Sequence, residues 1–282
     1  MTGTRKVDVG YEPGAHYDHV HRAWRLIMGE EFHFGFFATP DVALEAATAA
    51  LTRLMLDGAC LGHGDRVLDV GCGTGRQACD LAETFGASVL GITTSPSGVA
   101  AATALATDRR LEAVRFEERD GTDNRLPDAA FDVVWVLESS HLMRDRGALL
   151  AECTRTLAPG GRLVLCDIVR RREIPFHEVR TRRQDFVTLR AAFGDAHMQP
   201  LESYTSALEQ LGMTIRDATD ISAPTQLTFP AWRGNVELHE TALHELLGRR
   251  GVDDFLRATH ILDFFWNDGT LGYGILAASK RS

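Results

Sequence analysis

The apolar positions along the chain change their period several times. Between residues 41 and 59, Leu44, Ala47, Leu51, Leu54 and Met55 recur at helical spacing and predict an amphipathic helix. From Arg66 the pattern shortens. RVLDV (66–70), SVLGIT (88–93), VRFEERD (114–120), FDVVWVLES (131–139) and RLVLCD (162–167) are short, mainly apolar runs of strand length. Helical stretches separate them, at 78–86, from Ser95-Pro96 to about 107, and at 149–157. Strands this apolar, alternating with helices this closely, predict an α/β fold: a doubly wound, mostly parallel sheet covered on both faces.

The ends of the chain follow a different rhythm. A helix is expected over 17–27, then a turn at Gly29 and an aromatic loop at 33–37. Residues 170–203 read as an insertion with one helix. Residues 204–212 read as a helix and 213–221 as a strand. Residues 231–266 form a long helical stretch interrupted at Gly248 and Gly251, and 272–280 is a final strand. The last two strands complete a seven-stranded sheet whose final strand is antiparallel. The expectation is one domain over 1–282, with helical lid elements at about 170–203 and 228–266.

Composition narrows the chemistry. Thirty Lys and Arg against 39 Asp and Glu give a net charge of -9, which disfavours non-specific nucleic-acid or anionic-membrane binding. The five cysteines, at 60, 72, 79, 153 and 166, show no metal-ligand spacing, so no metal site and a reduced, cytoplasmic setting are expected. The first residues lack the apolar core of a signal peptide, and no run approaches membrane-spanning length. A monomer or homodimer acting on a small molecule is expected.

The first strand runs into Asp69-Val-Gly71-Cys-Gly73-Thr-Gly75, which opens a helix. Glycines there permit a tight turn and close approach of a ligand to the backbone. The spacing is not the dinucleotide G-x-G-x-x-G, and no GK[ST] follows, so a dinucleotide or nucleoside triphosphate is disfavoured. Thr93 and Thr94 stand at the second strand end, where a ribose usually meets a carboxylate. Asp120-Gly121 ends the third strand and can face an adenine amino group. Three successive strand ends therefore present polar groups on one edge, where such sheets bind ligands.

These segments resemble the class I S-adenosylmethionine-dependent methyltransferases. DVGCGTG is similar to their first motif, DGTDNRLPDAAFDVVW to their adenine-side segment and fourth strand, and LAPGGRLVLCD to their fifth strand. HFGFF at 33–37, the Gly91-Ile-Thr93 segment with Ser95, and VWVLESSHLMRDR are similar to a small-molecule branch. That branch includes sugar O-methyltransferases of bacterial indolocarbazole biosynthesis and tocopherol and sterol C-methyltransferases. The resemblance implies S-adenosyl-L-methionine as cofactor. It implies Asp69, Gly71 and Gly73 at the methionine portion, Thr93 and Ser95 near the ribose, and Asp120 and Gly121 near the adenine. It also implies that Tyr17 and His33 come from an N-terminal segment, about 15–60, that folds over the cofactor.

An alcohol is a poor nucleophile, and histidine near its ordinary pKa suits a general base. His141 lies just beyond the fourth strand and Asp167 ends the fifth, so both are expected on the cofactor edge. Asp167 either orients the imidazole or takes the proton. The resemblance implies that both are catalytic, although Leu142 stands where such enzymes often carry a second histidine. Glu138 is expected to bind cofactor or a backbone amide. Eight Phe and Trp residues between 186 and 266 suggest a broad apolar cavity, and therefore a bulky acceptor. Seven arginines between 170 and 190 form either a solvated face or a grip for an anionic substrate. The expected activity is O-methylation of a bulky secondary metabolite. The alternatives are C- or N-methylation of a natural-product precursor, including a prenyl diphosphate, or a related cyclisation without methyl transfer.

Overall fold

The computed structural model describes residues 22–282. Tyr17, expected at the cofactor, lies outside the described residues. Seven strands form one sheet: β1 (Arg66–Val70), β2 (Ser88–Thr93), β3 (Val114–Glu118), β4 (Phe131–Leu137), β5 (Leu157–Arg170), β6 (Met213–Asp220) and β7 (Leu271–Lys280). Their order is β3-β2-β1-β4-β5-β7-β6, and only β7 runs antiparallel to its neighbours. The order reverses between β1 and β4, which pair in register from Val67–Val133 to Asp69–Trp135. Their carboxyl ends therefore open a crevice at the glycine loop.

Alternate side chains on these strands enter two cores. Val67, Val133, Trp135 and Val164 face one side, with Leu51 and Met55 of helix α2 (Leu44–Ala59). Leu68, Val134 and Leu163 face the other, with Leu150 of α5 (Arg146–Thr156) and with Tyr204 and Leu208 of α8 (Leu201–Gln210). A further helix covers 22–28, here α1. Helix α3 (Arg76–Phe85) follows Gly75, its N-cap. Helix α4 (Pro96–Asp108) is capped by Ser95, whose Oγ accepts from the Gly98 amide at 2.9 Å.

The 170–203 segment holds two helices before α8, not one: α6 (Phe176–Thr181) and α7 (Arg183–Phe193), separated at Arg182. The short helix α9 (Ser222–Thr225) is followed by α10 (Thr228–Leu238) and α11 (Glu240–Asn267). The interruption expected in α11 occurs at Gly248, with φ 69° and ψ 162°, while Gly251 continues the helix. Helix α11 packs on both α7 and α10. Among the described residues, no helix is long and apolar enough to cross a membrane.

Candidate functional site

A cavity of about 750 Å³ lies along the carboxyl ends of β1, β2, β3 and β4. That is within the size range, about 300–1,000 Å³, of small-molecule sites. His33, Asp69, Gly71, Gly73, Thr93, Ser95, Asp120, Gly121 and Glu138 all line it. The glycines have distinct reasons to be there. Gly71 has φ +84°, and a Cβ on it would lie 2.2 Å from Ser139 Cβ. That serine donates to the Val70 carbonyl at 2.6 Å and ties the exit of β4 to β1. Gly73, at φ +53°, has nothing within 4 Å of its absent side chain and so exposes backbone to the cavity.

Asp69 Oδ2 is buried without a hydrogen-bond partner among the described residues, and burial pushes its carboxyl up to about 7. At the second strand end, Thr93 Oγ1 accepts from the Ser95 amide at 3.3 Å, so both hydroxyls also organise the start of α4. Asp120 Oδ1 accepts from the amide and hydroxyl of Thr122, at 2.8 and 2.7 Å, which holds the turn after β3. Gly121 fits closely beneath Val70 and Met143.

The aromatic loop is fastened residue by residue. The amides of Phe34, Gly35, Phe36 and Phe37 donate respectively to Glu138 Oε1 at 2.6 Å, Thr228 Oγ1 at 3.0 Å, Ala47 O at 2.8 Å and Pro224 O at 2.8 Å. His33 Nδ1 donates to the Phe34 carbonyl at 2.8 Å, while its Nε2 lies 3.4 Å from Glu31. Although burial opposes the charged form, Glu31 and Glu138 raise the His33 pKa. Glu138 itself turns left-handed, with φ 46°, at the end of β4. Its Oε1 also accepts from the hydroxyl of Tyr273 on β7, and burial raises its pKa.

A second, smaller cavity of about 70 Å³ lies beside the first and shares Trp24, Phe32 and Glu138 with it. His141 lines this smaller cavity, not the large one. Its Nδ1 donates to Asp167 Oδ1 at 2.5 Å, and its backbone amide donates to Oδ2 at 2.9 Å. Ser140 Oγ donates to the same Oδ2, and the Ile168 amide to Oδ1 at 2.7 Å. Both Asp167 oxygens are thus engaged, which leaves Nε2 of the imidazole as the acceptor without a partner among the described residues. Burial alone would raise the Asp167 pKa, but His141 holds it below the usual carboxylate range. Burial likewise opposes the charged imidazole, and Asp167 outweighs it, so the His141 pKa is raised.

Residues 68–165 match a family model described as a methyltransferase domain. The chain is 31% identical to methyltransferase GfsG of Streptomyces halstedii, over 95% of this chain and 94% of that protein. It is 32% identical to 27-O-demethylrifamycin SV methyltransferase of Amycolatopsis mediterranei (strain S699), over 95% of this chain and 97% of that one. The chain belongs to the class I S-adenosylmethionine-dependent methyltransferases. The solved structure of the [4+2]-cyclase SpnF is also similar, with TM-score 0.79 and 27% identity over 95% of each chain.

This methyltransferase uses S-adenosylmethionine, and its large cavity fits that group. The unpartnered Asp69 oxygen is the kind of acceptor an ammonium needs, and Gly73 leaves room for close approach to the backbone. Sequence reasoning missed several wall residues, including Glu31, Arg76 and Gln77. Arg76 and Gln77 begin α3 directly after the glycine loop, a position that could have marked them.

One expectation about the methyltransferase's acceptor side is corrected, and of the two readings left open for the arginine run the solvated face is favoured. The eight aromatic residues do not enclose a broad cavity. Phe34 sits among Phe229, Trp232, Trp266 and Tyr273 at centroid distances of 5.0–5.4 Å, so these rings fill the space with one another. Only Phe193 and Trp232 of the eight line the small cavity. None of the seven arginines lines either cavity. Five of them pair with the chain's own carboxylates: Arg170 with Glu173, Arg171 with Asp220, Arg172 with Glu178, Arg182 with Asp185 and Arg190 with Asp195.

Proposed function

We propose that the enzyme methylates a hydroxyl of an apolar small-molecule acceptor, with His141 as general base. One observation carries this. The imidazole is fixed through Nδ1 by Asp167, and its residue lines an apolar cavity that shares Trp24, Phe32 and Glu138 with the cofactor cavity.

Bound S-adenosylmethionine supplies an electrophilic methyl group on a cationic sulfur. Asp69, Gly71 and Gly73 would hold its methionine portion, Thr93 and Ser95 its ribose, and Asp120 and Gly121 its adenine. His33 and Glu138 keep the aromatic loop in place along the same cavity. His141 Nε2 takes the proton of the acceptor hydroxyl. Asp167 keeps the proton on Nδ1, which leaves the Nε2 lone pair free, and then stabilises the imidazolium. Its own four hydrogen bonds leave it an orienting group, not the proton acceptor. Phe32, Phe193 and Trp232 exclude water, and α7, α10 and α11 form the lid that admits the acceptor.

The arginines favour this reading over a prenyl diphosphate acceptor, since most are neutralised on the protein's own surface. Arg182→Ala should therefore leave acceptor KM unchanged. The likeness to a [4+2]-cyclase keeps one second reading in view, cyclisation without methyl transfer. Incubating candidate alcohols with methyl-labelled cofactor separates them. Label in an ether supports the proposal, label on carbon or nitrogen rejects hydroxyl methylation, and unlabelled product supports the cyclase reading.

A further inference from the structure

Arg146 is the first residue of α5 and only 4% exposed. A cation is disfavoured in the first turn of a helix, and a buried charge usually has a carboxylate partner. Arg146 has neither advantage: it forms no ion pair among the described residues, and its Nε and Nη1 are buried without hydrogen-bond partners. Nη2 donates to the His197 carbonyl at 2.9 Å, and the guanidinium lies over the ring of Tyr204, 5.2 Å from its centroid.

Both contacts lead back to His141. The His197 amide donates to the His141 carbonyl at 2.7 Å, and Gly194, Ala196 and Met198 of the same loop line the small cavity. On the other side, the Tyr204 hydroxyl lies 3.0 Å from Ser140 Oγ, which donates to Asp167, which holds the imidazole. We propose that Arg146 is a positioning residue: it joins the wall of the acceptor cavity to the backbone and the ring of His141, and its charge sets the field in which that ring works. The functional importance of this arrangement rests on the reading of His141 as the base.

Among the described residues, the charged groups that act most strongly on His141 are Asp167 from β5, Glu138 from the end of β4 and Arg146 from α5. The two carboxylates favour the imidazolium and Arg146 opposes it, offsetting part of their effect. Removing the positive charge should therefore make the imidazole titrate at higher pH.

The test uses the full chain labelled with ¹⁵N-histidine, with the His141 signals assigned by comparison with His141→Gln. Arg146→Gln keeps a donor for the His197 carbonyl and removes the charge, whereas Arg146→Lys keeps the charge. The expected result is a His141 titration midpoint moved to higher pH in Arg146→Gln and retained in Arg146→Lys. If Arg146→Gln does not fold, Arg146→Met replaces it, since it loses the unpaired donors together with the charge. An unchanged midpoint in a folded, charge-free variant, or an equal shift in Arg146→Lys, overturns the proposal. The titration needs no acceptor, so it can fail while His141 remains the base, and it can succeed if His141 is not.

Discussion

His141 and Asp167 are joined twice, once through the imidazole and once through the backbone amide, to the two oxygens of one fully buried carboxylate. The ring cannot rotate without losing the first bond, and the carboxylate is fixed by the second.

This double attachment predicts a graded response to substitution. His141→Ala should lower kcat by about 10²–10⁴-fold, the usual worth of a general base, and leave cofactor affinity nearly unchanged. Asp167→Ala should also destabilise the fold by about 3–5 kcal/mol, because it removes one partner of a buried pair. Turnover, cofactor titration calorimetry and chemical denaturation measure the three effects. A His141→Ala variant as fast as the parent would eliminate His141 as the base.

The same pair makes rate and stability respond oppositely to pH. The His141 pKa is raised in the folded state, so its neutral form accumulates only above the ordinary imidazole value of about 6.5. The rising limb of the pH–rate profile should lie above that value. Its stabilising contribution is fully present below about 6.5 and is lost as pH rises through the folded pKa. Denaturation midpoints recorded from pH 5 to 9 should show that loss, and His141→Gln should make it smaller, leaving the shares of His33 and Asp69, whose pKa values are also raised.

Asp69 offers a test that needs only the cofactor. Its pKa, near 7 in the free protein, should fall when an ammonium reaches its unpartnered oxygen. Cofactor binding near pH 7 should therefore release protons. Calorimetry in two buffers of different ionisation enthalpy measures the number, and Asp69→Asn should remove the release. Buffer-independent heats in the parent protein would contradict the assigned contact.

Glu138 fastens the aromatic loop to the sheet by accepting from the Phe34 amide and the Tyr273 hydroxyl. Glu138→Ala leaves both donors without this partner and should cost about 1–3 kcal/mol per lost partner. Cofactor affinity should fall with it, since His33 precedes the freed amide. Glu138→Gln retains an accepting oxygen and should recover most of the stability. Thermal melts with and without cofactor distinguish the two variants.

The sheet and the cofactor edge were legible in the sequence because they depend on local signals. Short apolar runs mark the strands, the glycines mark the turn, and strand ends expose Thr93 and Asp120 on one edge. Asp69, Gly71 and Gly121 fall where those signals put them. The acceptor side was not legible in this way. An apolar residue in a helix can face a ligand or another ring, and Phe34 meets Trp232 and Trp266 across some two hundred residues of chain. The partners of the arginines were equally hidden, as with Arg171 and Asp220. So was Arg146, whose partners His197 and Tyr204 come from a distant loop and helix.

The narrow overlap of the two cavities has an engineering consequence. Among the described residues, only Trp24, Phe32 and Glu138 belong to both, while Leu189, Phe193, Ala196 and Met198 touch the smaller one alone. Those four residues occupy one short stretch of chain away from the glycine loop. With the acceptor in the smaller cavity, as proposed, libraries confined to that stretch should alter the range of accepted molecules while the methyl-donor half of the enzyme is inherited intact.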